Sequence, residues 1–375
     1  MSKRWLVALA ALVSLAAGGR TAAEDVIRIG VSAPITGNYA EYGENFRYSA
    51  QMAAKLINEG GGVLGKKVEA VVMDSKGDPK EAALIAQKMV EDPGMVAEVG
   101  DFTSTCCLAA APIFERAGMV QLSPTSSHPD FAPSGKYMFG VIGTQAAECP
   151  FNVEYTGKEY LGATSVGIIY INNDWGQVTK DEFTKACQKF NLPITGVELF
   201  MEAERDHGAI LNKLRQTNPD AVFIISHYNE AAAICRQIRR MNWKVKKFSP
   251  SSIFSVKMIE LGGEAAEGIA TNTLFALEDP NPKVQAFIAE FNKVAGRDPN
   301  MHAACAYDSF LMVCDAIKRA GTTDRAAVRD ALAATRDFDG VTGRLTFTEV
   351  GDINRKYMVM VIENGKWVVK KDYTK

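Results

Sequence analysis

The chain has 375 residues, 47% of them apolar and 23% charged, with a formal net charge of −2. That length corresponds to roughly two ordinary globular domains. The composition is too balanced for a disordered chain and too poor in Gly and Pro for a fibrous one. Near-neutral charge excludes general electrostatic attraction to nucleic acid or to an anionic membrane.

The N-terminus reads as a secretory leader. Lys3 and Arg4 precede an apolar run from Trp5 to Ala17, and small residues at Thr21 and Ala23 mark cleavage after Ala23. The run is too short to span a bilayer, which needs about 20 apolar residues. No Cys sits at the cleavage point to carry a lipid. The expectation is an exported, periplasmic protein with residues 1–23 removed.

The following segments alternate between short apolar runs and amphipathic stretches. Val26–Ser32 reads as a buried strand ended by Pro34 and Gly37, and a helix over Glu44–Asn58 stops at Gly60-Gly61-Gly62. Val68–Met73 is a strand, Lys80–Val90 a helix opened by Pro79, and Met95–Val99 a strand. Cys106–Ala117 is a helix and Met119–Leu122 a fourth strand. After a Pro-, Ser- and Gly-rich loop (124–135) a second series begins. It has helices at Phe151–Tyr160, Val178–Phe190, Ala209–Gln216 and Glu230–Met241, and strands at Ser165–Ile171, Ile194–Phe200, Ala221–Ser226 and Phe248–Pro250. Helices near Pro282–Ala295, Ala303–Ala320 and Arg325–Thr335 precede two final strands, Tyr357–Glu363 and Trp367–Lys370, joined at Asn364-Gly365. This is the α/β pattern of two doubly wound, Rossmann-like lobes with parallel sheets covered on both faces.

Ligands of such sheets bind beyond the carboxyl ends of the strands. The loops there are dense in polar and aromatic residues: 33–43, 100–105, 123–128, 172–176 and 226–229. Thr103-Ser104-Thr105 opens a helix, where hydroxyls beside free N–H groups can hold a carboxylate without a cation, and Ser127 on the adjacent loop can complete the cradle. The alternative is simple helix capping. Enzyme readings lack support: there is no GxGxxG in the first βα turn, no GxSxG, and Gly65-Lys66-Lys67 is not a phosphate loop. The seven cysteines are scattered and form no zinc pair, the four histidines lie far apart, and neither a metal nor a cofactor is expected. Cys106-Cys107 reads either as a reactive pair or as buried small residues at a helix start.

"IRIGVSAPITGNYAEYG" (27–43), "INEGGGVLGKKVEAVVMDSKGDPKEA" (57–82), "VGDFTSTCCLAAAPIFERAGMVQLSPTSSHP" (99–129), "IIYINNDWGQ" (168–177), "DAVFIISHYNEAAAICRQIRRMNW" (220–243) and "YDSFLMVCDAIKRAG" (307–321) occur in order. The set resembles the leucine/isoleucine/valine-binding protein family, the periplasmic substrate-binding proteins of ABC importers, over essentially the whole chain after the leader. The resemblance implies the type I fold with a three-crossing hinge, expected near Gly143–Gln145, Asn272–Leu274 and Val350–Asp352. Lobe 1 would then be 24–143 plus 274–350, and lobe 2 would be 144–273 plus 351–375. It further implies that Ser104 and Ser127 bind the ligand carboxylate and that Thr125 offers its carbonyl to an ammonium. Tyr42, Phe102 and Trp175 would wall the pocket, with His227 or Tyr228 contributing from lobe 2. The implied partners are a small carboxylate ligand and ABC permease subunits, with a monomeric protein and no nucleic acid.

Two departures from the family stand out. Amino-acid binders usually carry an acidic residue where this chain has Ser251, so the acid that pairs with the ammonium is missing there. Asp101 or Glu230 is a candidate replacement. The cysteine pair that some members use falls at Gly77 and Thr103, leaving Cys106 or Cys107 with Cys149 as a conceivable substitute. Two ligand classes therefore stay open: a branched-chain or other apolar amino acid, and an aromatic or branched organic acid without an amine. An exported sensory module of the same fold is the alternative role.

Overall fold

The computed structural model describes residues 26–202 and 204–374; the expected leader lies outside them. Among the described residues no helix is long and apolar enough to cross a membrane.

The first lobe starts with β1 (Ile27–Ala33), α1 (Ala40–Glu59), β2 (Val68–Asp74), α2 (Pro79–Glu91), β3 (Met95–Val99), α3 (Ser104–Arg116), β4 (Val120–Ser123) and β5 (Met138–Gly140). Its parallel sheet has the order β2-β1-β3-β4-β5. β3 and β4 are buried along their whole length, which is why they read as apolar runs rather than as alternating strands. α2 begins where expected because Asp78 accepts from the N–H groups of Lys80 and Glu81, with Pro79 in the first turn. α1 begins a turn before the expected Glu44. Gly43, the last residue of the loop expected over 33–43, lies inside the helix so that the loop after β1 can rest on it. A Cβ there would stand 2.1 Å from the carbonyl oxygen of Pro34. Gly43→Ala is expected to cost about 1–3 kcal/mol by forcing that loop away, readable as a lowered urea midpoint.

The second lobe contains α4 (Gln145–Phe151), β6 (Val166–Ile171), α5 (Asp174–Lys189), β7 (Ile194–Phe200), α6 (Gly208–Gln216), β8 (Ala221–Ile225), α7 (Tyr228–Arg240), β9 (Lys246–Phe248), α8 (Val256–Gly262) and β10 (Ala270–Thr273). The helix expected over Phe151–Tyr160 begins earlier, at Gln145, and continues past α4 as wider π turns over Asn152–Tyr160. Those turns start two residues after Pro150, whose missing N–H breaks the α ladder.

The chain then returns to the first lobe as α9 (Pro282–Ala295), α10 (Met301–Ala320), α11 (Arg325–Ala333) and the short hairpin β11 (Phe338–Gly340) and β12 (Gly343–Leu345). α10 packs along α1, with Ser49 donating to the carbonyl of Ala303 at 2.8 Å. β13 (Met358–Glu363) and β14 (Lys366–Asp372) complete the second sheet, in the order β14-β13-β10-β9-β8-β6-β7, with these last two strands antiparallel. Positive φ at both Asn364 and Gly365 gives the tight turn between them. The third passage between lobes lies later than Val350–Asp352. Gly140 N–H still donates to Gly351 and Phe347 still bridges Ile353 in the first lobe, so the chain crosses between Ile353 and Met358.

All seven cysteines are free and buried, so the conceived bridge to Cys149 is not formed. The Cys149 thiol instead contacts Gln145 Oε1 at 3.4 Å and the Thr179 carbonyl at 3.6 Å. Burial pushes the Cys106 and Cys107 thiols well up, the environment of inert core residues rather than nucleophiles.

Candidate ligand-binding site

The site is built on the N-terminus of α3. Thr103 caps the helix, its hydroxyl accepting from Cys106 N–H at 3.2 Å. The N–H groups of Ser104 and Thr105 are left without a partner among the described residues, as is that of Ser127 on the β4–β5 loop. That loop is folded by Ser123, whose hydroxyl accepts from the N–H groups of Thr125 (3.3 Å) and Ser126 (2.8 Å). Thr125 in turn donates its hydroxyl to the Phe102 carbonyl at 2.8 Å.

The second lobe meets this face. Asn173 caps α5, accepting from Gly176 N–H at 2.8 Å, and Gly176 permits the tight strand-to-helix turn because a Cβ there would lie 1.9 Å from the Ile171 carbonyl oxygen. The turn presents Trp175, whose Nε1–H donates to Ser127 Oγ at 3.1 Å; Gln145 Nε2 donates to the same oxygen at 2.9 Å. Both lone pairs of that hydroxyl are thus engaged, leaving its proton to donate. Ser104 Oγ accepts from Ser126 at 3.2 Å and keeps its proton in the same way. His227, the residue before α7, lies parallel to Trp175 with ring centres 5.0 Å apart.

Between the lobes is a small cavity, about 30 Å³ measured at the centres of water-sized spheres. Phe102, Thr103, Ser104, Thr105, Thr125, Ser127, Ile142, Gln145, Asn173, Trp175, His227, Ser251, Ser252 and His302 line it. No lysine, arginine, aspartate or glutamate is among them. Burial holds both His227 and His302 down at about 3, so both rings are neutral at ordinary pH. Among the described residues no group of three or more His, Cys, Asp or Glu side chains is placed to hold a metal ion.

A family model described as periplasmic binding protein matches residues 26–366. The chain belongs to that family. This binding protein is 28% identical to the leucine-, isoleucine-, valine-, threonine- and alanine-binding protein of Pseudomonas aeruginosa, over 88% of each chain. It is similar, with a TM-score of 0.86 and 28% identity, to the branched-chain amino acid substrate-binding protein of Streptococcus pneumoniae solved with isoleucine; the match covers 92% of this chain and 99% of that one. A solute-binding protein of Rhodopseudomonas palustris, solved with 3,4-dihydroxybenzoic acid, superposes with a TM-score of 0.84 at 20% identity, over 94% of this chain and 99% of that one. At that identity the likeness is one of fold. The fold is the type I periplasmic binding protein fold, and the family role is solute binding rather than catalysis.

Of the residues expected at the site of this binding protein, Phe102, Ser104, Thr125, Ser127, Trp175, His227 and Ser251 line the cavity. Tyr42 and Tyr228 do not. Tyr42 is fully buried behind Phe102, its ring stacked at 3.8 Å, and its hydroxyl donates to the Ser252 carbonyl while accepting from Tyr228 N–H at 3.4 Å. Tyr228 donates its own hydroxyl to the Asn38 carbonyl at 3.1 Å. These tyrosines clasp the two lobes together rather than wall the pocket.

Neither expected substitute for the missing acid reaches the cavity. Asp101 turns to Phe102 N–H and is raised to about 6 by burial; Glu230 is raised to about 7 by burial on α7. The acid nearest Ser251 is Glu148 on α4, which the sequence reading missed because it is distant along the chain. Its Oε1 accepts from Ser251 N–H at 2.7 Å and Asn272 Nδ2 at 2.8 Å, and its Oε2 from Gln145 Nε2 at 2.7 Å. His302, also missed, comes from the start of α10, where no local pattern marks it.

Proposed function

We propose that this protein captures a small carboxylate solute between its lobes and delivers it to the permease of an ABC importer, after export and cleavage behind Ala23. The observation that supports this most is the convergence of donors on a cavity between the lobes whose lining holds no lysine or arginine. The N–H groups of Ser104, Thr105 and Ser127 and the hydroxyl protons of Ser104 and Ser127 all await an acceptor. An anion at the start of α3 also gains from the helix dipole. Contacts from both lobes to one solute favour the conformation in which the lobes meet.

The test is a calorimetric titration of ligand-stripped protein with leucine, isoleucine, benzoate and short-chain acids. A bound carboxylate is expected, and Ser104→Ala should weaken it on the order of tenfold, the value of a hydrogen bond to a charged group. Ser104→Ala is preferable to Ser127→Ala, which would also strand the donors of Trp175 and Gln145. No binding by any acid, or unchanged affinity in the variant, defeats the cradle. N-terminal sequencing of exported protein checks the leader; a start other than Glu24 corrects it.

A further inference from the structure

The lining leaves buried ring nitrogens unanswered, Nδ1 of His227 and Nδ1 of His302 among them, and the second bears on the other polar group of the solute. His302 lines the cavity and is 2% exposed. Its Nδ1 is buried and has no hydrogen-bond partner among the described residues. In a neutral imidazole that nitrogen either donates or accepts, and here it is unanswered either way. The nearest phenol, Tyr42, has committed its proton to Ser252. The partner for Nδ1 has to arrive with the solute.

An ammonium is a poor candidate. The lining has no carboxylate, and the oxygens of Glu148 are already engaged by three donors. A desolvated ammonium without an anion is costly, whereas a hydroxyl makes the same bond without burying charge. Flat rings also line the space, Phe102 backed by Tyr42, and Trp175 parallel to His227. We infer that the solute is a small hydroxylated carboxylic acid without an ammonium, its carboxylate in the α3 cradle and its hydroxyl hydrogen-bonded to Nδ1 of His302. This rests on the carboxylate reading above and narrows it.

The experiment is a calorimetric titration of the ligand-stripped protein with two matched pairs. One is 4-hydroxybenzoate against benzoate; the other is 2-hydroxy-4-methylpentanoate against leucine. In at least one pair the hydroxylated acid should bind about tenfold more tightly than its partner, and the pair that shows it assigns the planar or the branched skeleton. His302→Phe should erase that preference, while His302→Gln, which keeps an acceptor, should retain part of it. A preference absent from both pairs, or one that survives in His302→Phe, overturns the inference while leaving the carboxylate site standing. If none of the four acids binds, it is the carboxylate cradle itself that fails.

Discussion

Glu148→Ala is expected to lower the stability of the protein by roughly 3 kcal/mol or more, because three buried donors lose their acceptor at about 1–3 kcal/mol each. The carboxylate is 3% exposed and gathers Ser251 N–H, Asn272 Nδ2 and Gln145 Nε2, groups from three separate segments of the second lobe. It thereby fixes Ser251 and Gln145, two residues that line the cavity. Solute affinity should fall with stability, since Gln145 also orients Ser127. Glu148→Gln keeps the shape but sets an amide N–H₂ against donors, so an intermediate loss is expected. Urea midpoints of the three proteins at pH 7 check this, and a Glu148→Ala midpoint within error of wild type refutes it.

The second large effect is a pH dependence carried by the two cavity histidines. In the folded protein both titrate near pH 3, whereas an unfolded chain protonates its histidines near about pH 6.5. Between those values the unfolded state holds protons that the folded state lacks, so their contribution falls as pH drops from 6.5 towards 3 and is complete above 6.5. Buried carboxylates act in the opposite sense. Glu230, raised to about 7, and Asp101 and Asp352, raised to about 6, hold protons in the folded state that the unfolded state has released, so their contribution is lost as pH rises through those values. The wild-type profile is therefore a partial cancellation, and a difference measurement isolates the histidines. Relative to wild type, a His227→Phe/His302→Phe protein should gain on the order of 2 kcal/mol per pH unit on acidification below 6.5. Urea unfolding of both proteins at pH 7, 6 and 5 measures it; a constant difference across that range means the rings are protonated in the native state.

The parts of the fold legible in the sequence are those with local causes. α9 starts at Pro282 and ends before Gly296 because Asn281 caps it and a left-handed glycine stops it. The final hairpin follows from Asn364-Gly365 alone. β5 and β10 escaped notice because runs of 3 and 4 residues carry too little periodicity. β5 in particular is defined by pairing with β4 rather than by its own composition. The hydroxyls at the start of α3 were legible because they stand side by side in the sequence just where a helix begins. Glu148 and His302 were not, because their meaning lies in partners 103 and 200 positions away, Ser251 and Phe102 respectively. Tyr42 and Tyr228 were expected to wall the pocket and stand outside its lining, Tyr42 directly behind Phe102, since nothing local distinguishes a wall from a clasp.

The threading of the chain has a consequence for how it comes to be folded. The sheet β1 to β5 is complete by Gly140, yet α10, which covers α1 and touches β3, begins only at Met301. As the chain emerges, the first lobe must wait with an uncovered apolar face while most of the second lobe is made. Contacts so distant along the chain slow collapse to the native state. A polypeptide of this design completes neither lobe until most of it has been made, so its final packing is decided late and by both lobes together.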